Sequence, residues 1–411
     1  TITFGAAVTG VTVSLGAGTD ALTLASGTND VTVTAVETVT GGTGADTVTL
    51  TAALSGGLIT LGAGTDTLTL ANGTNNLTVT NVETITGGTG ADTITLGAAQ
   101  TSGSIALGAG TDSLTLANGA NTLTLGADIE TITGGTGADA VTFSEAVSGV
   151  VVSLAAGTDT LTLADGSNTL TATNVETVTG GTGADAVTLG AAVTGAAVDL
   201  GAGADTLTLA NGVNTVTATN IETVTGGTGN DTVTFGAAIT GATASLGAGT
   251  DRLILADGAN DVTVTGVETV TGGTGADTVT LSAATTGNLI NLGAGTDTLA
   301  LADGANTLTA SNIETITGGT GADAITLGAA QTTGSIALGA GADTLTLASG
   351  ANTLTLGADI ETIAGGTGAD TIAFSAAVSG VVVSLGAGTD TLILADGSNT
   401  LTATNVETVT G

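Results

Sequence analysis

Most of the 36 acidic side chains in this 411-residue chain recur at fixed places, and their type and spacing could do chemistry. Seventeen aspartates each close a glycine-bearing turn: Asp20, Asp46, Asp66, Asp92, Asp112, Asp139, Asp159, Asp185, Asp205, Asp231, Asp251, Asp277, Asp297, Asp323, Asp343, Asp370 and Asp390. Nine glutamates, Glu37 through Glu407, stand once per repeat in Val/Ile-Glu-Thr, just before a Gly-Gly turn. A single base, Arg252, opposes them, so the formal net charge is −35. Stacked at a strand spacing of roughly 4.8 Å, the turn carboxylates form a column that repels itself unless a cation sits there. The turns offer carboxylate oxygens and carbonyls that glycine leaves free to converge, with no nitrogen or sulfur ligand. That donor set suits calcium better than magnesium or a transition metal. The plainer reading is that these are Asx-type turn formers with loosely held counterions. The glutamates either add a ligand to the adjacent turn or cap a corner in solvent.

Composition removes other chemistry. The chain has no Cys, His, Pro, Met, Trp or Tyr and four Phe. Without His or Cys there is no zinc site of the usual kind, no thiol nucleophile and no Ser/His/Asp triad. One base cannot engage a phosphate backbone, so nucleic acid is excluded as a partner. Carboxylate pairs occur everywhere, unlike the unique pair of a glycosidase, and the chain reads as no enzyme. No apolar run reaches the length of a membrane span, and no signal peptide is visible. A mean hydropathy of +0.52 with regularly placed Val, Leu and Ile argues for folding over disorder.

The elements that position the acids follow from repetition. Gly-Gly-Thr-Gly-Ala-Asp starts at Gly41, Gly87, Gly134, Gly180, Gly272, Gly318 and Gly365, and Gly226 begins Gly-Gly-Thr-Gly-Asn-Asp. The starts lie 46 or 47 residues apart, and a longer period of 231 residues, five units, relates 87–180 to 318–411. Residues 1–411 therefore read as one continuous array of about nine units, cut from a longer protein. Fixed periods of 20–50 residues mark solenoids or propellers. Within a unit, Asp46 precedes Thr47-Val48-Thr49-Leu50, and Asp66 precedes Thr67-Leu68-Thr69-Leu70. Alternation turns Val48, Leu50, Leu68 and Leu70 inward and the threonines outward. Further strand-like pieces are 58–61, 77–80 and 82–85, and Phe4, Phe143, Phe235 and Phe374 replace one inward Leu. The expected fold is all-β, a parallel β-solenoid (β-roll or β-helix) with two coils per 46-residue repeat and every Asp turn along a single edge. A closed propeller is the runner-up. The Asn72-Gly73 turn and its relatives at Asp165, Asp257, Asp303 and Asp396 mark an ordinary corner elsewhere on the coil.

Residues 41–49, Gly-Gly-Thr-Gly-Ala-Asp-Thr-Val-Thr, and 226–234, with Asn230 before Asp231, resemble the Gly-Gly-x-Gly-x-Asp-x-Leu-x nonapeptide of the repeats-in-toxin (RTX) family. The resemblance implies a parallel β-roll with calcium between stacked turns. It implies ligands at Asp46, Asp92, Asp139, Asp185, Asp231, Asp277, Asp323 and Asp370. The shorter turn Gly-Ala-Gly-Thr/Ala-Asp implies the same for Asp20, Asp66, Asp112, Asp205, Asp251, Asp297, Asp343 and Asp390, and Ala155-Ala156-Gly157-Thr158-Asp159 adds Asp159. Val-Glu-Thr before Gly-Gly is similar to RTX-type segments of bacterial surface-layer proteins. Family repeats follow every nine residues, whereas here the turn returns after 20 and then 26, which implies metal on one edge only.

The functional expectation is a calcium-stabilised extracellular rod of a bacterial surface layer, filament or adhesin stalk. The resemblance implies type I secretion to the cell surface. Self-association into a filament or lattice is the expected partnership, with a cell-surface polysaccharide as a second candidate. Two alternatives stay open: an ice binder using its Thr-x-Thr rows, and a passive spacer presenting a terminal binding domain.

Overall fold

A computed structural model describes residues 1–411, with 45 strands and no helix. Two compact units, Thr1–Thr208 and Leu209–Gly411, are built in the same way. In each, successive strands alternate between two sheets, and a strand pairs in parallel with the strand two places further along. Thr47–Leu50 lies between Asp30–Thr34 and Thr67–Thr69. The intervening Ser55–Thr60 joins Thr38–Thr40 and Asn76–Thr80 in the other sheet. In the second unit Thr278–Leu281 lies between Asp261–Thr265 and Thr298–Ala300.

The Thr/Val/Leu alternation explains both strand formation and the core. β-Branched residues suit a pleated, half-buried surface. Val48, Leu50, Leu68 and Leu70 are buried as expected, while their threonine neighbours stay partly exposed. Phe143, Phe235 and Phe374 are buried at the inward position too. Each buried Val, Leu or Ile stabilises the fold by about 1.5–3 kcal/mol, and the interior between the sheets is made almost wholly of them.

The fold class is the expected one, but the coil count is not. The unit beginning at Gly41 holds five strands, Thr47–Leu50, Ser55–Thr60, Thr67–Thr69, Asn76–Thr80 and Thr84–Thr89. A coil is two strands and two turns, and closes after steps such as the 20 residues from Asp46 to Asp66 or the 17 from Asp66 to Glu83. The expected 26-residue coil contains three strands, Thr67–Thr69 to Thr84–Thr89, which is one coil and a half. Five strands cannot divide evenly into two-strand coils, so each unit ends in the sheet in which it began and the next unit starts in the other. Asp46 and Asp66 lead into the paired strands Thr47–Leu50 and Thr67–Thr69 of one sheet. Asp92 and Asp112 lead into Thr93–Leu96 and Ser113–Thr115 of the other. The aspartate turns thus come in pairs that change edge from unit to unit, and the expected single edge of aspartate turns is replaced by two.

Candidate metal centre

On each edge the turn side chains form a hydrogen-bonded ladder with a five-coil period. Leu54 N–H donates to Asn75 Oδ1 at 3.1 Å, and Asn75 N–H to Asp92 Oδ1 at 2.8 Å. Asp92 N–H donates to Asp112 Oδ1 at 2.6 Å, and Asp112 N–H to Glu130 Oε2 at 2.7 Å. The opposite edge repeats the order through Val8, Asn29, Asp46, Asp66 and Glu83. The second unit has it through Ile239, Asn260, Asp277, Asp297 and Glu314. Each carboxylate or amide oxygen therefore accepts the main-chain N–H of the preceding coil.

Sixteen of the seventeen turn aspartates are fully buried, and Asp20 is half-buried. Each of the sixteen buried aspartates uses Oδ1 in the ladder. The other oxygen is the telling one: Oδ2 of Asp46, Asp66, Asp92 and Asp112, and of their counterparts in the second unit, is buried with no hydrogen-bond partner. A buried carboxylate oxygen left alone is costly, and either a proton or a cation relieves it. Burial pushes the Asp112 carboxyl up to about 6 against the Asp92 N–H that lowers it, with repulsion from Asp92, Glu130 and Asp128 adding to the rise. Asp66, Asp159, Asp251, Asp297 and Asp343 are raised for the same leading reason. All six are second members of a pair. Arg252, the one base, is exposed among the outer threonines beside Thr232 and Thr269.

The first glycine of the Gly-Gly turn makes a cradle. A Cβ at Gly41 would lie 2.1 Å from the Leu61 carbonyl oxygen of the next coil and 2.7 Å from Asp46 Oδ2. Gly180 and Gly272 show the same pair of oxygens, from Leu200 and Asp185 and from Leu292 and Asp277. Nowhere do three or more acidic side chains converge on one point, so at most two carboxylates can serve one site and main-chain carbonyls must complete any coordination. An all-oxygen set of this kind fits calcium.

The family model for the RTX calcium-binding nonapeptide repeat (four copies) matches residues 80–99, 107–141, 217–234, 262–285, 280–308 and 355–373. These segments are RTX calcium-binding repeats. Calcium is their cofactor, and every matched RTX segment contains at least one of the aspartate turns described above. RTX repeats are typical of secreted, extracellular proteins. No curated protein matches the chain.

The RTX turns have partners that sequence reasoning missed. Asn29, Asn75, Asn121, Asn168, Asn260, Asn306 and Asn352 are buried ladder members. Asn75 Nδ2–H reaches Ala71 O, Gly73 O and Asp92 Oδ1 at 2.8–3.0 Å. Their signal was the Asn that closes each x-Gly-x-Asn turn once per unit. The Asn72-Gly73 corner is therefore on the same edge as the RTX turn it precedes, not elsewhere: Asn72 Oδ1 accepts Thr89 N–H at 3.1 Å. The glutamates are neither free in solvent nor simple corner caps, since Glu83 Oε2 holds the Asp66 N–H at 2.8 Å.

The two 47-residue units carry one further acid each. Asp128 Oδ2 accepts Gly108 N–H, Asp359 Oδ2 accepts Gly339 N–H, and Oδ1 of both is buried without a partner. The extra residue that lengthens those units was the clue.

Proposed function

We propose that this chain is a calcium-stabilised structural segment of an extracellular assembly, the body of a bacterial surface layer, filament or adhesin stalk. One observation carries the reading: the buried, unpartnered Oδ2 atoms repeated at aspartate turns through both compact units. A repeated charge defect of this kind opposes folding until a cation fills it. Calcium that binds the folded turns and not the open chain draws folding forward. Low calcium keeps the chain loose, and millimolar calcium outside the cell stiffens it. The ligands in this reading are the turn aspartates, with main-chain carbonyls such as that of Leu61. Calcium supplies charge neutralisation and cross-coil bridging; the chain's own ladder sets the register in which the oxygens meet.

Self-association is the partnership this reading favours. Leu58 and Val151 in the first unit, and Leu289 and Val382 in the second, protrude from otherwise threonine-rich faces, each 43–55% exposed. Exposed apolar side chains of this kind suit side-by-side packing of identical arrays. The same interruptions break the threonine rows and weaken the ice-binding alternative.

Far-UV circular dichroism after exhaustive chelation, followed by calcium and magnesium titrations, tests the proposal. A cooperative gain of β signal with calcium and not with magnesium is expected. A β spectrum and melting temperature indifferent to chelation would leave the aspartates as turn formers only.

A further inference from the structure

We infer that each aspartate pair binds a single calcium ion, shared between its two coils, so that the chain holds eight ions rather than one at every stacked turn. The inference rests on the calcium reading above and fixes its stoichiometry. Three features of the ladder lead to it.

The Asn–Asp step needs no metal. Asn75 Nδ2–H points at Asp92 Oδ1 at 2.8 Å, and the same amide bridges Asn29 to Asp46 and Asn260 to Asp277. An amide hydrogen there does electrostatically what a cation would do, and it repels a cation from the same oxygen. The Asp–Glu step is also closed without metal: Glu130 Oε2 takes the Asp112 N–H, and the partly exposed glutamate leaves no buried oxygen alone.

Only the Asp–Asp step stacks two buried carboxylates, each with an unpartnered oxygen. Between Asp46 and Asp66 the direct link is a single main-chain N–H to Oδ1. One dication meets both deficits at once.

The cradle against a leucine carbonyl also occurs once per pair, and the other close glycine of the pair, Gly64 beside Gly44 O and Asp66 Oδ1, lies between the same two coils. The cradle needs a residue without Cβ opposite a leucine carbonyl, and that residue is the first glycine of the Gly-Gly turn. Gly87 faces Leu107 O at 1.9 Å from a notional Cβ, and Gly318 faces Leu338 O at 2.0 Å. In the second turn of each pair the equivalent position is leucine itself, as at Leu61, so its side chain occupies the place of a second cradle. Eight pairs follow from the sequence, four in each compact unit.

Bound calcium counted by native mass spectrometry and equilibrium dialysis decides the matter, on the 411-residue chain and on Asp46→Asn, Asp66→Asn and the double variant. Eight ions are expected for the parent chain and seven for each of the three variants, because either aspartate is indispensable to the same ion. Seven pairs stay intact in every variant, so folding is not at stake. About sixteen ions in the parent, eight in either single variant, or six in the double variant would overturn the shared site. A parent chain that binds no calcium overturns the calcium reading itself, a different failure from a wrong count.

Discussion

The main-chain N–H of Asp46 donates to Oδ1 of Asp66 at 2.7 Å, joining two coils through one oxygen of a carboxylate whose other oxygen has no partner. That half-satisfied contact makes the edge both a register device and a charge defect. The N–H bonds hold the turns in line, and the remaining oxygens make the line sensitive to whatever neutralises them.

Proton linkage gives the first prediction. Asp112 is raised from 3.8 to about 6, and Asp66, Asp159, Asp251, Asp297 and Asp343 are raised in the same direction. The folded chain therefore holds these protons more tightly than the unfolded chain does. Calcium-free stability falls as pH rises through the folded values and is regained as pH drops from about 6 towards 3.8. Melting followed by circular dichroism in chelator is expected at a higher temperature at pH 5 than at pH 8. With saturating calcium the order reverses, because protons compete with the metal. Equal melting temperatures in chelator would contradict the strained-pair account.

Ala155 tests the turn geometry. It adopts φ 70, where its counterparts are glycines such as Gly62 at φ 97. A Cβ at Gly62 would stand 2.2 Å from Gly42 O. Ala155 carries that Cβ, and the adjacent Ala156 N–H to Gly135 O bond is 3.3 Å, against 3.0 Å for Ala63 N–H to Gly42 O. Replacing Ala155 by Gly is expected to stabilise the chain by about 1 kcal/mol, read from the urea midpoint. An unchanged or lower midpoint would show that the turn absorbs the methyl without strain.

The asparagine rung makes an opposite forecast. Asn75→Ala removes the acceptor for Leu54 N–H and the amide that meets Ala71 O, Gly73 O and Asp92 Oδ1. Stability is expected to drop by about 2–4 kcal/mol, with several buried groups left unpaired. Hydrogen exchange should show the Leu54 and Asp92 turns losing protection first. A loss below about 0.5 kcal/mol, the scale of an ordinary surface change, would demote the rung to a bystander.

A packing defect offers the fourth. Val264, Val267, Leu281, Thr285, Asn288 and Glu268 help line a half-open pocket of about 210 Å³. The corresponding positions elsewhere are filled in complementary ways, by Leu54 over Gly57 and by Val147 with Val150. The double change Thr285→Val and Asn288→Val copies the Val147/Val150 solution and is expected to raise stability by about 1–2 kcal/mol. A lower thermal midpoint would mean that the Asn288 Nδ2–H bond to Val267 O, at 2.6 Å, matters more than the void.

The sequence by itself determined the period, the strands, the inward residues, the glycine turns and the aspartates that carry the charge, because each depends on neighbours a few residues apart. Thr47–Leu50 is legible from its alternation, and the turn before Asp46 from its glycines. Tertiary structure decided which turns meet. Which edge Asp92 occupies relative to Asp46 depends on summing strand and turn lengths over the coils between them, and an odd count of five strands moves it to the opposite side. The same sum brings Asn75 beneath Asp92 and Glu130 above Asp112, residues 17 and 18 positions away, in turns that locally resemble any other. Of such a ladder the sequence shows only the recurring residues, such as the Asn of each x-Gly-x-Asn turn, since its geometry exists only once the coils are stacked.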